Sequence, residues 1–152
     1  MQQNKLIEQV KKLREELGLG IMEIKAALEE AEGDEKKAKE ILKKKGFEKA
    51  EKRAEKEVHQ GRVATYTHQT GKIGSMVELL CETDFVARGE DFMKLARELC
   101  LQVAAMEPKD AKELLKQDYI KDPSRKVDEL VKELIAKVGE NIKVGRIARI
   151  EI

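Results

Sequence analysis

The chain has 152 residues, 40% of them charged, yet 31 basic and 30 acidic side chains leave a formal net charge of only +1. That length allows one core of ordinary size or two small modules sharing a linker. The near-neutral balance lacks the basic excess of a phosphate-backbone binder, and no run of 18 apolar residues exists to span a membrane.

Met1-Gln2-Gln3-Asn4-Lys5 leads into an amphipathic pattern rather than an apolar signal core, which points to a cytoplasmic protein. Leu6, Val10, Leu13 and Leu17 recur on one face of a first helix, stopped by Gly18 and Gly20. Ile21, Ile24, Leu28 and Ala31 mark a second, ended by Gly33. Asp34 can cap a third, with Ala38, Ile41 and Leu42 facing inward and Gly46 closing it. Residues 47–60 begin with charges of both signs and read as a solvated connecting helix at a domain boundary.

From Gly61 the period changes. Val63, Thr65 and Thr67 alternate with Arg62, Ala64, Tyr66 and His68, and Val77, Leu79 and Cys81 share a face of a second run. The short Gly71-containing loop between them predicts a hairpin. Phe92, Leu95, Ala96, Leu99, Cys100, Val103 and Met106 form a helical stripe that ends at Pro108. A further helix runs through Val127, Leu130, Val131, Leu134, Ile135 and Val138 to Gly139. Residues 142–150 alternate like a strand, with a bulge expected near Gly145. The second module is therefore read as a small antiparallel sheet of about three strands on helices, and the fold class as α+β.

Little in the chain assembles chemistry. Cys81 and Cys100 stand alone at apolar-face positions, and His59 and His68 lie across the hairpin with no nucleophile at a useful spacing. Neither a metal, a cofactor nor an enzymatic activity is expected. The informative segment is Thr83-Asp84-Phe85-Val86-Ala87-Arg88, at the junction of strand and helix. Phe85 lies seven residues before Phe92 and could share its face, but Gly89 argues for a break that frees the ring. The ring either plugs its own core or wedges into a partner, where burial would contribute about 3–5 kcal/mol before ordering costs. Asp84 is a helix cap, a solvated carboxylate, or a lone general base.

Three motifs in order give a resemblance. Leu13-Arg14-Glu15 with the run from Gly18 to Leu28, Cys81-Glu82-Thr83-Asp84-Phe85-Val86-Ala87-Arg88, and Gly139-Glu140-Asn141-Ile142 resemble the signatures of the bacterial elongation factor Ts family. The resemblance implies a guanine-nucleotide exchange factor that binds elongation factor Tu, itself binding neither nucleotide nor nucleic acid. It implies a ubiquitin-associated-like three-helix module over residues 1–46, a connecting helix over 47–60 and a core over 61–152. Asp84 and Phe85, flanked by Thr83 and Val86, would reach the partner's magnesium region. Arg14, Ile21, Met22 and Lys25 match positions that touch the GTPase from the first module. Residues 89–138 are too few for the second core subdomain of long members, so this is a short form, and a homodimer through the sheet is expected. Gly145 stands where the family usually has a basic residue. The competing reading is an adaptor of the ubiquitin-associated type that binds ribosome or RNA.

Overall fold

A computed structural model describes residues 2–152 and shows a mixed helix and sheet fold with two hydrophobic clusters. The first is all helical. Helices α1 (Gln2–Leu17), α2 (Ile21–Glu30) and α3 (Glu35–Arg53) enclose Leu13, Ile24, Ala27, Leu28, Ala38 and Leu42. Asp34 caps α3 as expected, its carboxylate accepting from the amides of Lys36 (2.9 Å) and Lys37 (3.2 Å). Ile21, at the first position of α2, is exposed.

The expected stop at Gly46 does not occur. Helix α3 runs through it to Arg53, so residues 47–53 are not a separate connecting helix but the end of the third one. The reason is tertiary. Gly46 is buried against α7 (Val127–Val138), where a Cβ would sit 3.0 Å from that of Ala136. The helix tolerates a poor former there because its bare backbone lets α7 approach, a packing gain that outweighs about 1 kcal/mol of propensity. Lys43 pairs with Glu129 at 2.9 Å across the same junction.

The second cluster lies between the sheet and the remaining helices. Strands β1 (Gln60–Thr67) and β2 (Ile73–Cys81) form the expected hairpin, and β5 (Ile142–Glu151) pairs antiparallel on the other side of β2, giving the order β1-β2-β5. Ser75, Val77, Leu79 and Cys81 alternate inward along β2. Helix α5 (Glu90–Met106) covers that face with Phe92, Leu95, Ala96, Leu99, Cys100 and Val103, all buried. Met106, expected in the stripe, is exposed, because the helix ends there with Glu107 in a left-handed conformation. Both cysteines are free and buried. Desolvation pushes each thiol above its usual range, as expected of core residues.

The bulge in β5 falls at the expected place. Val77 faces Ile147 while Leu79 faces Val144, so Gly145 and Arg146 together oppose Glu78. The Glu78 carboxylate accepts from Arg146 Nη2 at 2.8 Å, and that bond holds its pKa below the usual range. Residues 111–126, which show no period in the sequence, form α6 (Ala111–Lys116) and a two-stranded ribbon of β3 (Asp118–Tyr119) and β4 (Asp122–Lys126). Tyr119 anchors the ribbon by donating to Glu98 at 2.6 Å. The sheet's other face carries Val63, Met76 and Ile150 in the open.

Candidate functional site

Between β2 and α5 the chain makes one short helical turn, α4 (Asp84–Ala87). Thr83 is its N-cap, with its Oγ1 accepting from the Val86 amide at 3.4 Å. Gly89 separates it from α5, for which it serves as N-cap. The break therefore falls where helix propensity puts it, and Phe85 does not continue the stripe that starts at Phe92. The Phe85 side chain is 82% exposed, against 1% for Phe92. Surrendering a ring to water when the chain has three Phe in all is a choice that core packing does not explain.

The turn is tied at both ends. Before it, the Glu140 carboxylate accepts from the amides of Glu82 (3.2 Å) and Thr83 (2.9 Å) and from the Thr83 hydroxyl (2.6 Å). After it, Arg62 Nε donates to the Ala87 carbonyl at 2.8 Å, and the Gly89 amide to Val86 O at 3.0 Å. Ala87 is buried and Val86 half-buried against the larger core, so the turn's inner side is anchored while Phe85 points away. Asp84 is neither the cap nor free: it pairs with exposed Arg88 one turn on, at 2.8 Å.

A second layer of polar contacts supports the first. Glu82 takes a two-point contact from Arg53 and accepts from the Asn141 amide at 2.7 Å. The Arg53 guanidinium, followed by the Asn141 amide, holds the Glu82 carboxyl below its usual 4.5. Asn141, itself buried, donates to the carbonyls of Ala54 (3.3 Å) and Lys56 (2.7 Å). Residues from the end of α3, the end of β2 and the start of β5 thus meet around one strand-to-helix junction.

The remaining expected site residues lie on the helical cluster. Met22 is 76% and Ile21 47% exposed at the start of α2, side by side and without a core role. Lys25 follows one turn later and contacts Glu29 at 3.8 Å, while Arg14 is exposed near the end of α1. The structure thus gathers Thr83, Asp84, Phe85 and Val86 on one turn, and Arg14, Ile21, Met22 and Lys25 on α1 and α2. Sequence reading missed Glu140, Arg62, Arg53 and Glu82 as supports. The motifs containing Glu82 and Glu140 were the available signals.

Among the described residues no group of three or more His, Cys, Asp or Glu is placed to hold a metal ion. No helix of the described residues is long and apolar enough to cross a membrane. An open cleft of about 580 Å³ is lined by residues of α3, α5 and α7 and includes none of the α4 turn. Exposed large apolar side chains thus include Phe85 on the braced turn, Ile21 and Met22 on α2, and Val63, Met76 and Ile150 on the sheet.

Comparison with known proteins identifies the family. The family profile "Elongation factor TS" matches residues 82–152. Elongation factor Ts of Thermotoga neapolitana is 41% identical, over 94% of this chain and 94% of the relative. That of Leptospira biflexa is 39% identical over 95% and 96%. The Aquifex aeolicus protein is 46% identical over 94% of this chain, but the match spans only 51% of that longer relative. The chain belongs to the elongation factor Ts family, which makes it a translation elongation factor.

Proposed function

We propose that this protein is a guanine-nucleotide exchange factor that binds GDP-loaded elongation factor Tu and promotes GDP release, acting in the cytoplasm. The observation that supports the reading best is Phe85, almost wholly in water on a turn whose inner side is buried. A bound magnesium ion demands a near-ideal octahedron of oxygen ligands. Displacing the partner's elements around that ion loosens GDP without any contact to the nucleotide.

Magnitudes favour Phe85 over Asp84 as the working group. Burying the ring contributes about 3–5 kcal/mol, the size of an interface hot spot. Weakening GDP ten-thousandfold corresponds to about 5.5 kcal/mol of differential binding. The ring therefore supplies a large share, and docking elsewhere supplies the rest. Asp84 contributes less, because its charge already faces Arg88. By linkage, GDP weakens the factor as much as the factor weakens GDP.

The docking share falls to residues 1–46, a module of the ubiquitin-associated type. Ile21 and Met22 supply its apolar contact, with Arg14 and Lys25 beside them. Residues 47–60 connect it to the core, 61–152, with α3 bridging the first boundary. Two copies pair through the outer sheet face, where Thr65, Met76 and Ala148 stand in register and Val63 and Ile150 extend the apolar surface. The protein itself performs no chemical step and needs no cofactor.

The test is titration of elongation factor Tu carrying a fluorescent GDP. Accelerated dye release at micromolar factor is the expected result. Unchanged release would refute exchange and favour the adaptor.

A further inference from the structure

We infer that Glu140 is a positioning residue, which holds the α4 turn in the form that presents Phe85. The inference rests on the exchange reading and adds to it a residue 55 positions from the ring. A helical turn of four residues is far too short to be stable by itself. An 82% exposed side chain offers almost no packing to hold it either. Its order comes from Ala87 and Val86 packed on the core and from its tethers.

Glu140 is the strongest of these. One carboxylate receives three donors, two of them backbone amides immediately before the turn and the third the hydroxyl of the N-cap. Hydrogen bonds to an ionised acceptor are about twice as strong as neutral ones. Without Glu140 the amides of Glu82 and Thr83 lose this acceptor. Glu140 is itself well placed to act as a fixed point. Gly139, left-handed at φ 74°, ends α7 just before it, and buried Asn141 is locked to the carbonyls of Ala54 and Lys56 just after.

The consequence is kinetic. A turn ordered before encounter spends no binding energy on its own ordering, so the energy of burying Phe85 goes into deforming the partner. Removing Glu140 should lower the maximal release rate at saturating factor, where docking by the helical module is already complete.

The test is a double-mutant cycle on the full chain, with Glu140→Ala and Phe85→Ala singly and together. The readout is release of fluorescent GDP from elongation factor Tu at saturating factor. Glu140→Ala should lower the maximal rate about tenfold, the scale of a small misplacement of a working group. In the Phe85→Ala background it should cause no further loss. Glu140→Gln keeps an oxygen for the two amides and a donor for Thr83 Oγ1, so it should recover most of the rate. A maximal rate unchanged by Glu140→Ala, or the same fractional loss without the ring, overturns the proposal.

Should Glu140→Ala not fold, Thr83→Val takes its place in the cycle, since it removes one donor and the cap. The same loss confined to the protein with the ring supports the proposal, and an unchanged rate or a loss independent of the ring overturns it. Amide exchange in the free protein separates this proposal from the exchange reading. Glu140→Ala, or Glu140→Gln to a lesser degree, should deprotect Thr83 and Val86 while leaving Leu99 in α5 unchanged. Unchanged protection at Thr83 and Val86 overturns the positioning role. Wild-type protein that fails to release GDP overturns the exchange reading alone.

Discussion

Arg53, the last residue of α3, grips Glu82 at two points, Nε to Oε1 at 2.8 Å and Nη2 to Oε2 at 2.9 Å. A helix that begins in the first hydrophobic cluster thereby ends beside the turn that carries Phe85. Such a bidentate contact fixes orientation as well as distance. The helical module and the exposed ring are therefore parts of one frame.

That contact has a pH signature. The folded-state pKa of Glu82 lies below its ordinary 4.5 because of Arg53 and then the Asn141 amide. Its contribution to stability is complete above the unfolded-state value and is lost as pH falls through the lower folded value. The stability gap between wild type and Glu82→Gln should therefore shrink as pH drops below 4.5. Urea midpoints from neutral pH down into the acid range measure it, and a gap constant across that range would contradict the assignment.

Docking and wedging should separate. Met22→Asp should raise the factor concentration giving half-maximal GDP release by about tenfold or more, the equivalent of about 1.4 kcal/mol. The maximal rate should stay near wild type. A fall in maximal rate with unchanged half-saturation would place Met22 in the exchange step instead.

Gly46 should resist enlargement. Even a Cβ there would lie 3.0 Å from Ala136 Cβ, so Gly46→Leu has to push α7 from α3. The expected cost is about 1–3 kcal/mol, despite the gain in helix propensity. Thermal and urea denaturation report it. Stabilisation by this substitution would show that the α3–α7 contact is looser than the geometry indicates.

The outer sheet face gives a fourth prediction. Met76 sits at the centre of that face, between Thr65 and Ala148. Sedimentation of wild type at tens of micromolar should report a dimer, a range where a modest apolar interface suffices. Met76→Glu should report a folded monomer. An unaltered dimer would move the interface elsewhere.

Much of this architecture is legible in the sequence wherever one period dominates. The stripes of α1, α5 and α7, the β1–β2 hairpin and the bulge near Gly145 all follow from local spacing. Gly46 misleads because its role depends on Ala136, ninety residues away, and no local pattern encodes that approach. The β3–β4 ribbon is too short to have a period, and its Tyr119–Glu98 bond is again remote in sequence. In the site the freedom of Phe85 is readable from Gly89, a local break. Its bracing is less so, since Arg62 and Glu140 bond to the turn across separations of 25 and 57 positions.

The most direct measurement is stopped-flow release of fluorescent GDP from elongation factor Tu, comparing wild type with Phe85→Ala across factor concentrations. The maximal rate should fall about tenfold or more, with half-saturation changed far less and with folding intact, since the ring makes little contact with its own chain. A Phe85→Ala protein that releases GDP as fast as wild type at saturation would contradict the claim that this ring opens the partner's magnesium site.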